Sequence, residues 1–178
     1  MKAYICAGVL AAVPLLLNAQ NPEVRDLVLR SLRPLRPAIA IPVFRGSGAA
    51  QSSMEVFNRT LAADLWQSRL FTLIPRAMYP LSNPQQPADL GDKDGKKLSN
   101  WAGPPTHARY LAFGYTAIVR NKLTLYAWLF DVTRRNAADA QIFGKIYTED
   151  SSESGARNLA HHFAADIAVK TTSGADPR

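Results

Sequence analysis

The sequence predicts one domain of the α/β (α+β) class, with five strands and two main helices. Two features predict it. Three strand-like segments follow one another between residues 108 and 149, and segments with apolar residues at helical spacing lie on either side of them. The chain has 178 residues, a length that suits a single core once an N-terminal export segment is set aside.

Residues 38–44 form the first predicted strand, a buried apolar run that leads into a glycine-containing loop. Arg45-Gly46-Ser47-Gly48 lacks the Lys-Ser/Thr pair of a phosphate-binding loop and does not fit a dinucleotide fingerprint. We therefore interpret the loop as a tight turn.

The first helix follows this turn. Ser52 and Glu55 have the spacing of a capping box. Apolar side chains then recur on one helical face: Met54, Phe57, Leu61 and Leu65. Asn58-Arg59-Thr60 matches a glycosylation sequon, but its position in mid-helix favours coincidence, since such acceptors occupy surface loops.

Residues 70–74 make a second short strand, ended by Pro75, and a long surface excursion occupies residues 80–105. Trp101 is the exception in this polar stretch. We expect it to pack back on the body through a short helical turn at residues 97–101, because tryptophan is usually buried. Its rival interpretation is a binding aromatic.

Residues 108–119, 122–132 and 141–149 predict an antiparallel meander, with Arg120-Asn121 as a two-residue turn. Alternation in the middle strand sends one set of side chains to one face: Leu123, Leu125, Ala127 and Leu129. The opposite face receives Tyr126, Trp128 and Phe130. Because both faces are apolar, the sequence requires either a third layer or a partner over the aromatic face.

The last helix begins at Ser151-Ser152-Glu153, and an apolar face follows along it. His161 and His162 are adjacent and so point about 100° apart on a helix, which does not suit two ligands of one metal. His162 and Asp166 have helical i, i+4 spacing but lack a third ligand. Surface hydrogen bonding is the favoured interpretation.

Catalytic groups are not evident in the sequence. No serine occupies a nucleophile elbow, and the histidines are only His107, His161 and His162. We predict no catalytic residue, no metal ligand, no cofactor and no small-molecule substrate. An enzyme concealed by these motifs is the least favoured alternative.

An export signal is predicted at residues 1–19, where Lys2 precedes an apolar run and Ala19 marks the cleavage edge. The run is shorter than a bilayer span requires, although an uncleaved anchor stays open as an alternative. The expected location is therefore the periplasm. Cleavage would remove Cys6, the only cysteine, so the core cannot rely on disulfides.

After the signal we divide the chain into an arm with a Pro-rich linker (20–37), the domain (38–172) and a tail (173–178). The arm contains Glu23-Val24-Arg25-Asp26-Leu27-Val28-Leu29, and it is either a free tether or an edge strand of the domain's own sheet. Cleavage at Ala19 leaves a net charge of +6, which weakly favours acidic partners or an anionic membrane surface. The arginines are scattered, so nucleic acid is not an expected partner.

Several motifs resemble the N-terminal domain of TolB, a family of periplasmic proteins of the Tol-Pal envelope system. They are Ala38-Ile39-Ala40-Ile41-Pro42-Val43-Phe44, Asp64-Leu65-Trp66-Gln67-Ser68-Arg69-Leu70-Phe71, Leu129-Phe130-Asp131-Val132 and Gly144-Lys145-Ile146-Tyr147-Thr148, followed by Ala160-His161 and Asp166-Ile167. Arg69 replaces the family's glycine. A left-handed conformation there would cost about 1 kcal/mol.

The resemblance implies a mixed sheet packed with helices, similar to an anticodon-binding domain. It also implies a role in envelope integrity and protein import, with an arm that binds a TolA-like protein by strand addition. The arm residues concerned are Glu23, Val24, Arg25, Leu27, Val28 and Leu29. The six-bladed propeller that follows in TolB, and carries its contact with Pal, has no counterpart in these residues.

The aromatic face is the second candidate for partner binding, through Tyr126, Trp128 and Phe130. A propeller protein supplied in trans, or another envelope protein, is the expected partner there. The alternative is an envelope secretion or outer-membrane assembly protein resembling CsgG and FlgO. Such proteins usually carry a lipobox, which this sequence lacks.

Overall fold

Three layers make up the described part of the chain, residues 36–91 and 96–173 of a computed structural model. The strands are β1 (Ala38–Ala40), β2 (Arg45–Gly46), β3 (Thr72–Leu73), β4 (Tyr110–Val119), β5 (Lys122–Asp131) and β6 (Gln141–Asp150). The helices are α1 (Met54–Gln67), α2 (Lys96–Ala102), α3 (Ala137–Ala140) and α4 (Glu153–Ser173). In this part of the chain no helix is long and apolar enough to cross a membrane.

The strands form one mixed sheet in the order β3-β1-β4-β5-β6, and β2 also pairs with β4. β1 runs parallel to both of its neighbours, whereas β4, β5 and β6 form the antiparallel meander. The predicted fold class and the meander are therefore confirmed. The predicted strand count of five becomes six, because residues 38–44 do not form one strand.

Pro42 explains the break between β1 and β2. It has no N–H to donate to a strand ladder, so the chain leaves the sheet after Ala40 and rejoins it at Arg45. Side chains supply hydrogen-bond partners for the backbone between β1 and β2. The Ile41 N–H donates to Tyr79 Oη at 2.9 Å, and the Tyr79 hydroxyl donates in turn to the Ile74 carbonyl at 3.0 Å.

Asn58 of helix α1 supplies further hydrogen bonds to the backbone between β1 and β2. Its Oδ1 accepts from the Phe44 N–H at 2.9 Å, and its Nδ2 donates to the Phe44 carbonyl at 3.0 Å. Nδ2 also donates to the Met54 carbonyl at 2.7 Å. The side chain thus pairs with one residue of the broken strand as a neighbouring strand would. These bonds give the sequon asparagine a structural role.

The main core lies between the sheet and the two long helices. α1 contributes Met54, Phe57, Leu61 and Leu65, and α4 contributes Ala156, Leu159, Ala160, Phe163 and Ile167, all of them buried. The sheet contributes the predicted face of β5, with Leu123, Leu125, Ala127 and Leu129 fully buried. Phe163 makes edge contacts with Phe44, Phe143 and Tyr147. The helical faces predicted from spacing are confirmed.

A second core covers part of the opposite sheet face, where the long excursion returns to the body. Leu98 and Trp101 of α2 pack there with Phe113 and Phe130, and Trp101 is 0% exposed. Tyr79 lies against the Trp101 ring at 5.4 Å between centroids. The prediction that Trp101 packs back through a short helical turn is confirmed, and α2 is the third layer that the two-sided sheet required.

The helix starts differ from one another. The predicted capping box at Ser52 and Glu55 is wrong, because a 3-10 turn at Gly48–Ser53 runs directly into α1 and neither of these two helices has a side-chain cap at its start. Ser52 Oγ donates instead to the Ala49 carbonyl. The predicted start of the last helix at Ser151-Ser152-Glu153 is confirmed, since α4 begins at Glu153, and Ser152 Oγ accepts from the Gly155 N–H at 3.1 Å.

Left-handed residues occur at the predicted Arg120-Asn121 turn and at the end of α1. Arg120 has φ +49° and Asn121 has φ +61°, which is the geometry of a type I′ hairpin turn. Arg69, just after α1, has φ +59°. Arg69 therefore adopts the conformation in which glycine is favoured.

Candidate interaction surface

A row of stacked aromatic rings crosses the sheet on the face opposite α1 and α4. The β4–β5 register sets Tyr115 against Tyr126 and Phe113 against Trp128. The rings of Tyr115 and Tyr126 stack at 4.9 Å between centroids, and Trp128 stacks on Phe113 at 5.9 Å and on Tyr115 at 6.3 Å. The strands thus hold four large rings in fixed mutual positions.

The α2 layer covers only one end of this row. Phe113 is fully buried, whereas Tyr115, Tyr126 and Trp128 are each partly exposed. On the neighbouring strand β6, Ile146 lies beside Tyr126 and is 61% exposed. We call Tyr115, Tyr126, Trp128 and Ile146 the aromatic platform.

Phe130 does not belong to this platform, although alternation in the sequence places it with Tyr126 and Trp128. Its ring is fully buried in the second core and meets Phe113 edge-on at 5.1 Å. The α2 layer lies over this end of the face. The structure therefore corrects the expectation that Phe130 contacts a partner directly.

Gly144 on β6 makes room for the platform. A Cβ at this position would lie 2.5 Å from Cδ1 and 2.6 Å from Nε1 of Trp128, closer than atoms can approach. The indole therefore lies directly over the glycine backbone. The strand register also places Ile146 beside Tyr126. The sequence analysis did not identify Ile146 as a surface residue, although pairing β5 with β6 and following the alternation of side chains would have done so.

The predicted arm residues, Glu23, Val24, Arg25, Leu27, Val28 and Leu29, lie outside the described residues. The described domain begins at Arg36, with the Pro37 carbonyl accepting from the Thr72 N–H at 3.0 Å. Strand β1 follows at once, so the chain enters the domain at the parallel part of the sheet.

The histidines of α4 contact separate acidic groups. His161 Nδ1 lies 2.6 Å from Asp64 Oδ2 of α1, whereas His162 Nε2 lies 3.7 Å from Glu149 Oε1 of β6. Asp166 is held by Lys145 and Tyr147. These contacts tie α4 to its two neighbours. Within residues 36–91 and 96–173, no group of three or more His, Cys, Asp or Glu is arranged to hold a metal ion.

Several polar groups that line grooves in the described surface are already paired. One of ≈ 390 Å³ lies beside α1 and is lined in part by Glu55, Asn58 and Arg59. Asn58 is committed to the Phe44 backbone, and Glu55 pairs with Arg59 at 3.4 Å. Asp131 is likewise occupied, since its Oδ1 accepts from the N–H and hydroxyl of Thr133.

No family model matches the chain, and no curated protein matches it. Among solved structures, TolB from Acinetobacter baumannii is similar at 15% identity with a TM-score of 0.53, over 79% of this chain and 29% of the TolB chain. This chain therefore spans less than a third of TolB's length and shares the fold of that part. Two PelC dodecamer structures from Paraburkholderia phytofirmans match at 14% identity and TM-score 0.39, over 75% and 76% of this chain and 87% and 86% of theirs.

Proposed function

We propose that the protein is a non-enzymatic, periplasmic protein-interaction module of the Tol-Pal type, comparable to the N-terminal domain of TolB. The observation that carries the proposal is the aromatic platform, a partly exposed set of stacked rings on a TolB-like fold. Its role would be envelope integrity and protein import, in which the domain joins other envelope proteins.

The platform has the composition of a binding hot spot. Tyrosine and tryptophan bury large areas on binding and lose little conformational freedom, so they dominate many interfaces. Here the strands and the mutual stacking of Tyr115, Tyr126 and Trp128 already order the rings. The expected partner is an envelope protein with an apolar surface, and a propeller supplied by another chain is the leading candidate.

The arm supplies the second contact in this proposal. Residues 23–29 would add as a strand to the sheet edge of a TolA-like protein, with main-chain hydrogen bonds giving affinity. Val24, Leu27 and Leu29 would set specificity, and Glu23, Arg25 and Val28 complete the segment. The net positive charge of the chain favours an acidic partner.

Calorimetry with the C-terminal domain of TolA tests the arm. We expect binding by the processed chain, no binding after deletion of residues 20–31, and no binding after Val28→Pro, because proline removes a ladder donor. Circular dichroism should stay unchanged in both variants. Equal affinity with and without the arm would contradict the proposal.

Pull-down of envelope proteins and calorimetry with the recovered partner test the platform. Trp128→Ala should reduce that binding at least tenfold, while Trp66→Ala, which alters an exposed tryptophan on α1, should leave it unchanged. Unaltered binding by Trp128→Ala would remove the platform from the proposal. A large ring in size-exclusion chromatography, with no TolA binding, would favour an assembly protein like CsgG and FlgO instead.

A further inference from the structure

The two edges of the sheet differ greatly in length. β3 at one edge has two residues and is soon followed by Pro75. β6 at the other edge has ten residues, and no strand in the described part of the chain pairs with its outer side. Alternate N–H and C=O groups along an open edge are available to another strand. β6 is therefore a long template for pairing.

From Phe143 to Asp150, β6 carries neither a bulge nor a proline, two of the devices that keep sheet edges apart. A β-bulge at Ile142 distorts only its beginning, since the register with β5 is regular from Phe143 to Asp150. No proline interrupts it. Its single lysine, Lys145, is held against Asp166 on the helix side, with Nζ and Oδ2 2.6 Å apart.

Apolar side chains flank this edge on both faces. Ile146 is 61% exposed on the platform side. On the helix side Val169 is 57% exposed, and it follows Asp166 by three positions, which places it on the side of α4 that contacts β6. An edge strand with exposed apolar groups above and below it gains more from pairing than one with a polar surround.

We propose that β6 pairs with β6 of a second copy of this chain, antiparallel and centred on Tyr147. This register sets Lys145 opposite Glu149 of the other copy, twice by symmetry, and Ile146 opposite Thr148. Unlike charges directly opposite on antiparallel strands are favourable. Lys145 keeps donors to spare beyond its bond to Asp166.

The pairing of charged side chains favours the register centred on Tyr147 over the register centred on Ile146. Centring the pair on Ile146 would set the apolar Phe143 opposite Glu149 and Lys145 opposite Tyr147, with no charge pair. Either two-fold axis is perpendicular to the sheet, so both aromatic platforms face the same side. The dimer would present one continuous surface of twice the platform area to a partner.

Charge reversal across the edge tests the dimer. Sedimentation equilibrium of the naturally processed chain should show a monomer–dimer equilibrium. Lys145→Glu and Glu149→Lys should each weaken it about tenfold, because each converts two attractive rungs into repulsive ones. Mixing the two variants should restore dimers, since a pair with one copy of each again has unlike charges on both rungs. Restoration would also establish that both variants fold.

A second variant and a control keep the test decisive. Ile146→Glu leaves the helix-side contacts intact and should also weaken the dimer. Arg157→Glu, an equal change of charge on the exposed side of α4, should leave it unchanged. A wild-type chain that stays monomeric, or variants that fail to complement one another, would overturn the proposal. Loss of the dimer on deletion of residues 20–31 would also overturn it, because the arm would then be the segment that pairs with β6.

Discussion

Tyr147 on β6 donates its hydroxyl hydrogen to Asp166 on α4, with Oη and Oδ2 2.6 Å apart. Lys145 Nζ reaches the same oxygen at 2.6 Å. Burial and this hydrogen bond raise the pKa of Tyr147 above its ordinary range. Burial by itself would raise the pKa of Asp166, but the hydrogen bonds from Lys145 and Tyr147 outweigh it and hold that pKa below its ordinary value.

This cluster predicts a specific loss of stability in acid. A carboxyl whose pKa is lower in the folded state stabilises the fold above its unfolded pKa, and that contribution disappears as pH falls through the folded pKa. For Asp166 the loss begins below the ordinary value of 3.8. We expect Asp166→Asn to lower the free energy of unfolding equally from pH 5 to pH 8, and by progressively less below pH 4.

Urea unfolding over a pH series measures this difference. Tyr147→Phe is the matched variant, because it removes one hydrogen bond, worth about 1 kcal/mol, and keeps the pair of Lys145 and Asp166. A difference between wild type and Asp166→Asn that stayed constant down to pH 2 would contradict the assignment.

Arg69 predicts a stabilising substitution. Its φ of +59° is unfavourable for a residue with a Cβ. Arg69→Gly should therefore raise the free energy of unfolding by up to about 1 kcal/mol. The gain is reduced by loss of the stacking of Arg69 over the Trp66 ring, at 5.4 Å to its centroid. Arg69→Ala keeps the Cβ and should not stabilise; equal gains from both variants would count against a backbone origin.

Asn58 predicts a strong dependence on one amide. Asn58→Ala leaves the Phe44 N–H and carbonyl without their partners, which should cost about 2 to 3 kcal/mol. Thr60→Ala is the control, because it abolishes the glycosylation sequon without touching these bonds. Thermal unfolding of both variants shows whether Asn58 matters for its hydrogen bonds to Phe44 or for the glycosylation sequon. If Thr60→Ala destabilises as much as Asn58→Ala, the hydrogen bonds are not the cause.

Replacement of each of two tryptophans by alanine should have very different effects on stability. Trp101 is fully buried between α2 and the sheet, so Trp101→Ala should cost about 3 to 5 kcal/mol. Trp66 is 61% exposed, and Trp66→Ala should cost less than about 1 kcal/mol. Urea midpoints of the two variants test the contrast. Similar midpoints would mean that α2 does not pack on the sheet as described.

Periodicity was sufficient to predict most of the fold. The long elements bury one face each, so their spacing carries the information, as at Phe57 and Leu61 of α1 or Leu125 and Leu129 of β5. The break at Pro42 was not predictable in the same way. An apolar run from Ala38 to Phe44 has no period, and its repair depends on Asn58 and Tyr79, which are distant in sequence.

The residues of the candidate surface were also predictable only in part, because their exposure depends on contacts that are distant in sequence. Alternation identified Tyr126 and Trp128, but which rings stay exposed depends on where α2 lies, and no local pattern sets that position. Phe130 and Trp128 share a face and differ in exposure only because Leu98 and Trp101 cover one end of it.

The position of β1 between β3 and β4 has a consequence for the order of folding. Ile39 pairs with Tyr110, about 70 residues further along the chain, whereas the hairpins of β4, β5 and β6 join near neighbours. Local contacts form faster than distant ones. We therefore expect the antiparallel strands β4, β5 and β6 to pair early in folding, and β1, the first strand of the described residues, to join the sheet later.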